Sequence, residues 1–261
     1  MSSATKNLLI ICVSFALYFI ADDLFFKPLR TLFFEHTQQL GISHILAYLL
    51  TGIPLFLGVW YIVGRASVWE YLGLKASVLK ALVFALICTA PMFLGFGLLF
   101  EFSSEISINT ILIGVVSAAF FEELYFRAFL VGMPFRTTKL GFLPAVLFGA
   151  LYFAALHGYQ STEIAELAGI FLVTFLGGVL FAWVYIEWEY NSWVPIFLHL
   201  LMNLSWELFS VSDTALGGGY ANGLRLVTIV LVIVLIIVYK KRSGKGFNIH
   251  KKTLWVQKTP A

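Results

Sequence analysis

Charge and cysteine are the scarce components of this chain. Only 12% of its 261 residues are Asp, Glu, Lys or Arg, about half the share carried by a soluble domain, while 60% are hydrophobic. That balance excludes a water-soluble globular fold. The two cysteines, Cys12 and Cys88, both fall in apolar runs, where a thiol behaves as a small hydrophobe; neither a disulfide framework nor a zinc-binding spacing can be built from them. The chain has no HExxH sequence, no serine or cysteine in a nucleophile setting, and no internal repeat or low-complexity tract. Its longest internal connection, 27–43, is too short for a soluble domain. A single membrane-embedded domain over 1–261 is therefore expected to carry the function.

What the chain has in abundance is long apolar sequence. Runs able to cross a hydrocarbon core of ~30 Å fall at about 8–26, 44–63, 78–100, 108–135, 142–157, 166–186, 193–209 and 224–239. They predict an all-α polytopic membrane protein with about eight transmembrane helices. The first run is read as a span rather than a cleaved signal, because bulky Tyr18, Phe19 and Ile20 stand where small residues precede a cut. With the N-terminus inside, the cytoplasmic segments hold Lys6, Arg65, Lys75, Lys80, Arg136, Lys139 and a basic tail over 240–261 with Lys240, Lys241, Arg242, Lys245, Lys251, Lys252 and Lys258. The other side holds Lys27, Arg30 and Arg225. This bias predicts that both termini are cytoplasmic, with the tail acting as a stop at the membrane surface.

Three polar clusters interrupt the apolar runs. Glu122 and Glu123 stand inside the fourth run with Arg127 one turn on, and an ionisable residue at that depth costs at least ~2.5 kcal/mol, so a function is the default reading. Glu123 and Arg127, four apart, share a helix face and suit an ion pair, one that could equally lock two helices together. Glu122 points ~100° away and lacks that partner. A carboxylate without a counter-charge in apolar surroundings is held toward its protonated form, the property that makes a glutamate a general base near neutral pH. His157 closes the fifth run. Counted at ~1.5 Å per residue, Glu122 lies ~21 Å before Arg136 and His157 ~24 Å beyond Gly141, so the two reach similar depth on antiparallel neighbours. His199 and Asn203, again four apart, project from one face of the seventh run; Glu207 continues that stripe, and such pairs serve either as a site or as glue between helices. One count is at odds with the rest: His199 lies only ~12 Å beyond Asn191, shallower than Glu122 and His157. Either the 187–191 turn is sunk into the protein or the helix is irregular near Pro195.

Peptide hydrolysis needs an activated water, a base and oxyanion donors. Glu122 and His157 can supply the activation, and His199 with the Asn203 amide the donors. Glu122, His157 and His199 would also make an acceptable zinc shell, though no spacing demands one.

Glu122-Glu123-x-x-x-Arg127, Phe153-x-x-x-His157 and His199-x-x-x-Asn203, in that order on successive hydrophobic segments, resemble the three motifs of the CPBP family, the CAAX-protease and bacteriocin-processing intramembrane proteases also called the ABI family. All three match without substitution, inside a core motif region of 110–210. The resemblance, which includes type 2 CAAX prenyl proteases, implies an eight-helix membrane peptidase of the glutamate type. In it Glu122 and His157 activate water, His199 and Asn203 form the oxyanion hole, and Glu123 and Arg127 support the site. The metal-free, cofactor-free mechanism is the reading adopted, with zinc as the alternative. The implied partners are a membrane-associated peptide or protein substrate and the lipid bilayer, with no nucleic acid, in a bacterial inner membrane. A transporter or immunity-type binding protein could use the same polar residues, but the duplicated halves usual in transporters are missing.

Overall fold

The computed structural model describes residues 2–212, 214 and 216–257; Lys258 and the remainder of the tail lie outside the described residues. The described chain is helical, with no strand beyond isolated bridges. Its main helices are α1 (Ser3–Thr37), α2 (Leu40–Thr51), α3 (Ile53–Val63), α4 (Val78–Leu99), α5 (Ile108–Thr137), α6 (Phe142–Leu156), α7 (Ile164–Glu187), α8 (Trp193–Leu208) and α9 (Gly219–Arg242).

Large apolar side chains face outward along these helices. Leu79, Leu94 and Leu98 of α4 are 70%, 68% and 86% exposed, a pattern unfavourable in water and suited to lipid. Six helices, α1, α4, α5, α6 with its last turn, α7 and α9, are long and apolar enough to cross a membrane. The second apolar run is a pair, α2 and α3, bent by 40°, which makes a seventh span if counted as one. The break has a local cause, since Pro54 cannot donate an amide proton to the turn before it. Gly52 at the bend is obligatory: a Cβ there would fall 1.9 Å from the Tyr125 hydroxyl oxygen, which donates to the Tyr48 carbonyl at 2.8 Å. The seventh expected span, α8, has only 16 residues. At ~1.5 Å per residue it covers ~24 Å and falls short of the bilayer core, so the structure gives six or seven spans where the apolar runs suggested eight.

Helix α5 is the axis of the molecule. Every residue from Glu123 to Phe135 is buried, against α1 and α3 on one side and α6 and α7 on another. A second apolar cluster joins α4, α7, α8 and α9.

The polar connections also differ from expectation. The turn 187–192 is sunk: Glu187, Asn191 and Ser192 are all buried, and the Glu187 carboxylate accepts from Lys240 Nζ at 2.6 Å and from the backbone amides of Asn248 and Ile249 at 3.1 and 2.9 Å. Ser192 Oγ donates to the Leu72 carbonyl at 2.6 Å and Asn191 Nδ2 to that of Ser77 at 3.1 Å. Gly73, at φ 72°, lies so close that a Cβ would fall 2.0 Å from the Tyr190 carbonyl oxygen. Nor is the described part of the tail a free stop. It folds back so that the Gly141, Phe142 and Leu143 amides donate to the carbonyls of Trp255, Thr253 and Leu254. Gln257 Nε2 then donates to the Phe135 and Leu140 carbonyls, each at 2.9 Å. The first turn of α1 joins this end of the bundle through Asn7 Nδ2, which donates to the Thr137 carbonyl at 3.1 Å.

Candidate active site

The three clusters found along the sequence converge in space. Glu122, Arg127, His157, His199 and Asn203 all line one cavity of about 1190 Å3 that extends between α7, α8 and α9. The depth anomaly of His199 disappears here. Because the turn before α8 is buried within the protein, a short count along α8 still brings His199 beside the two glutamates.

Glu123 is the hub of the cluster. It is fully buried and faces Arg127 Nε at 3.2 Å through one oxygen, a close ion contact without an aligned hydrogen bond. Its other oxygen lies 2.8 Å from His199 Nδ1. A carboxylate in an ion pair only accepts, so Nδ1 carries the proton, and the chemically available nitrogen of His199 is Nε2. That nitrogen stands 4.0 Å from Glu122 Oε2. Arg127 is held in turn by the Phe153 ring, 4.0 Å from its guanidinium carbon. The expected Glu123–Arg127 pair is thus present, with His199 as a third member that helical spacing could not reveal.

Glu122 differs from its neighbour as anticipated. Its side chain is 26% exposed and has no ion-pair contact nearer than His199. His157 directs Nδ1 to the Phe153 carbonyl at 2.8 Å; a carbonyl accepts only, so Nδ1 is again the protonated nitrogen and Nε2 keeps its lone pair. Both histidines therefore present the same atom type, each oriented by a fixed acceptor.

Asn203 has a partner that the sequence did not suggest. Its Nδ2 donates to the Gly114 carbonyl at 2.9 Å. Residues Ile111–Ser117 of α5 form wide π-helical turns, and the Ala118 amide bonds to the carbonyls of Ile113 and Val115 rather than to that of Gly114. π-Bulges of this kind gather at functional sites. One amide proton of Asn203 is committed to the backbone and the other is free for a ligand. Glu207 also lines the cavity.

The Phe181 ring, 5.8 Å from that of His199, and Arg225, which sits 4.5 Å over Trp206 and donates to Asn222 Oδ1 at 3.0 Å, complete the cavity wall and were not singled out from sequence. Intramembrane charge was the available signal for Arg225. Phe181 had none, since an apolar residue in an apolar run is unmarked.

Among the described residues no three His, Cys, Asp or Glu side chains are gathered as a metal-holding group.

Fold and site together define an intramembrane protein with an acid–histidine cluster on the wall of an internal cavity. Residues 104–205 match the family model for Type II CAAX prenyl endopeptidase Rce1-like, a segment that contains all three motifs. Over this segment the chain is similar to the CAAX-protease family of intramembrane proteases. Neither the curated proteins nor the solved structures contain a match to it.

Proposed function

We propose that this chain is a glutamate-type intramembrane endopeptidase in which a single domain over 1–261 cuts a membrane-associated peptide or protein. The observation that carries the reading is the convergence of Glu122, His157, His199 and Asn203 on one cavity, each with a different oriented atom. Water held between Glu122 and the Nε2 lone pair of His157 attacks the peptide carbonyl carbon, and its proton passes to the carboxylate. The oxyanion that forms meets the free amide proton of Asn203 and, when the ring carries a proton on both nitrogens, Nε2–H of His199. Collapse breaks the C–N bond as the stored proton goes to the leaving nitrogen, giving one carboxylate and one amine. Nothing in this sequence requires a metal.

The apolar wall contributed by Val173, Leu176 and Leu180 of α7 and Leu226, Ile229 and Ile233 of α9 supports a substrate with a substantial apolar part, in keeping with the prenyl endopeptidase description of the matched family. Purified protein treated exhaustively with chelator should still cleave a membrane-presented peptide, with cut products read by mass spectrometry. Loss of cleavage that returns only when a metal is added back would overturn the glutamate mechanism.

Orientation in a bacterial inner membrane is part of the same proposal. The contacts of Asn7 with Thr137, of the 141–143 amides with the tail and of Glu187 with Lys240 gather at one end of the bundle segments that the charge bias assigned to the cytoplasm. Reporter fusions placed after Gly141 and after Lys252 should both give cytoplasmic signals; a periplasmic signal at either would invert the assignment.

A further inference from the structure

Glu122 and His157 belong to two cavities at once. Besides the large one, they line a second of about 240 Å3 that is bounded by α1 and α2 rather than by α7, α8 and α9. The proposed hydrolysis does not use this smaller chamber, whose contents are unusual for a membrane interior. Asp22 of α1 lines it together with Tyr18, Tyr48, Tyr125 and Tyr159, and no lysine or arginine does.

Asp22 Oδ1 accepts from Thr51 Oγ1 at 3.2 Å. Among the described residues neither oxygen of Asp22 has an ion-pair partner, and Oδ2 receives no hydrogen bond. The aromatic walls are braced rather than loose. Tyr48 stacks on Phe121 with centroids 5.2 Å apart, Tyr18 meets Tyr125 edge-on at 5.2 Å, and the Tyr125 hydroxyl is tied to the Tyr48 carbonyl. A small chamber with aromatic walls, one carboxylate free of counter-charge and a second carboxylate in Glu122 has the chemistry that recognises an ammonium group.

We propose that this chamber is a subsite for a primary ammonium group of the substrate, a lysine side chain or a free amino terminus close to the bond that is cut. Its position follows from the shared wall. A substrate whose apolar part fills the large cavity and whose scissile carbonyl lies at Glu122 and His157 can reach the chamber only with the residues next to that carbonyl. The assignment to substrate rests on the hydrolase reading; the affinity for an ammonium group does not.

The test uses the full chain in neutral maltoside micelles with n-butylammonium as the probe and n-butanol as its uncharged counterpart, read by saturation-transfer NMR. Saturable transfer is expected to butylammonium and not to butanol, to weaken about tenfold in Asp22→Asn, the change brought by losing a desolvated cation contact, and to persist in Asp22→Glu, which keeps the charge. Equal transfer to both probes, or transfer unchanged in Asp22→Asn, would overturn the proposal. A randomised peptide library supplies the second readout: wild type should prefer peptides with lysine within two residues of the cut, and Asp22→Asn should lose that preference ratio. A ratio of one in the wild type also overturns the substrate assignment. So does displacement of butylammonium by phosphatidylethanolamine but not by lysine peptides. Butylammonium binding that depends on Asp22, with no peptide cut at all, supports the ammonium site and counts against the hydrolase reading alone.

Discussion

Glu122→Gln is expected to reduce peptide cleavage by on the order of 10²–10⁴-fold, the contribution of a positioned general base, while leaving the fold essentially intact. The two effects separate because of where Glu122 stands. Its side chain is 26% exposed and lies 4.0 Å from His199 Nε2, so the amide replaces the carboxylate without breaking a buried contact. His157→Ala should be as severe for cleavage, since its Nε2 lone pair completes the water site. Glu123→Gln provides the contrast: that carboxylate is fully buried between Arg127 and His199, so the variant should lose stability as well as activity. The measurement is turnover per folded molecule, with folding checked by size-exclusion elution and thermal melting. A Glu122→Gln protein that elutes and melts normally and still cleaves near the wild-type rate would remove the proposed mechanism.

The largest stability effect is expected at the end of the bundle opposite in character to the site. Lys240→Met leaves the Glu187 carboxylate, 1% exposed, with two backbone donors and no counter-charge. Breaking one side of a buried pair costs about 3–5 kcal/mol, which for a chain of this size lowers the melting temperature by on the order of 10 °C. The double variant Glu187→Gln with Lys240→Met should recover most of that loss, because the penalty lies in the stranded charge rather than in the absent attraction. Melting curves of the two single variants and the double one, followed by tryptophan fluorescence in detergent, decide the matter. Additive losses in the double variant would show that the pair is uncoupled.

Much of the candidate site was legible because it follows rules of spacing. Two residues four apart on a helix share a face whatever surrounds them, which is why Glu123 with Arg127 and His199 with Asn203 could be paired in advance. A turn of known length between two spans also brings Glu122 and His157 to one depth. What was not legible depends on contacts between distant segments. The His199–Glu123 bond joins residues 76 apart, and no periodicity announces it. The sunken turn at 187–192 could be posed only as one of two answers to a mismatch in depth. Asp22 lies near the end of the first apolar run and was not singled out, because the four tyrosines around it come from three separate helices and the turn after α6. The tail carried a strong basic signal that concealed a set of backbone hydrogen bonds, to which every residue type contributes alike. The count of eight spans is not confirmed at α8, a helix of only 16 residues, for a related reason: apolar residues packed inside a bundle are indistinguishable, in composition, from apolar residues in lipid.

The docking of Lys240 and the following residues onto the Glu187 turn also sets an order of events during biosynthesis. The partners of that turn lie 53 positions later in the chain, at Lys240, and then at Asn248 and Ile249. While the ribosome is still adding them at about 5–20 residues per second, the inserted helices hold the Glu187 carboxylate without its cation. The Glu187 turn therefore takes its full set of contacts only once these later residues have been made and have folded back.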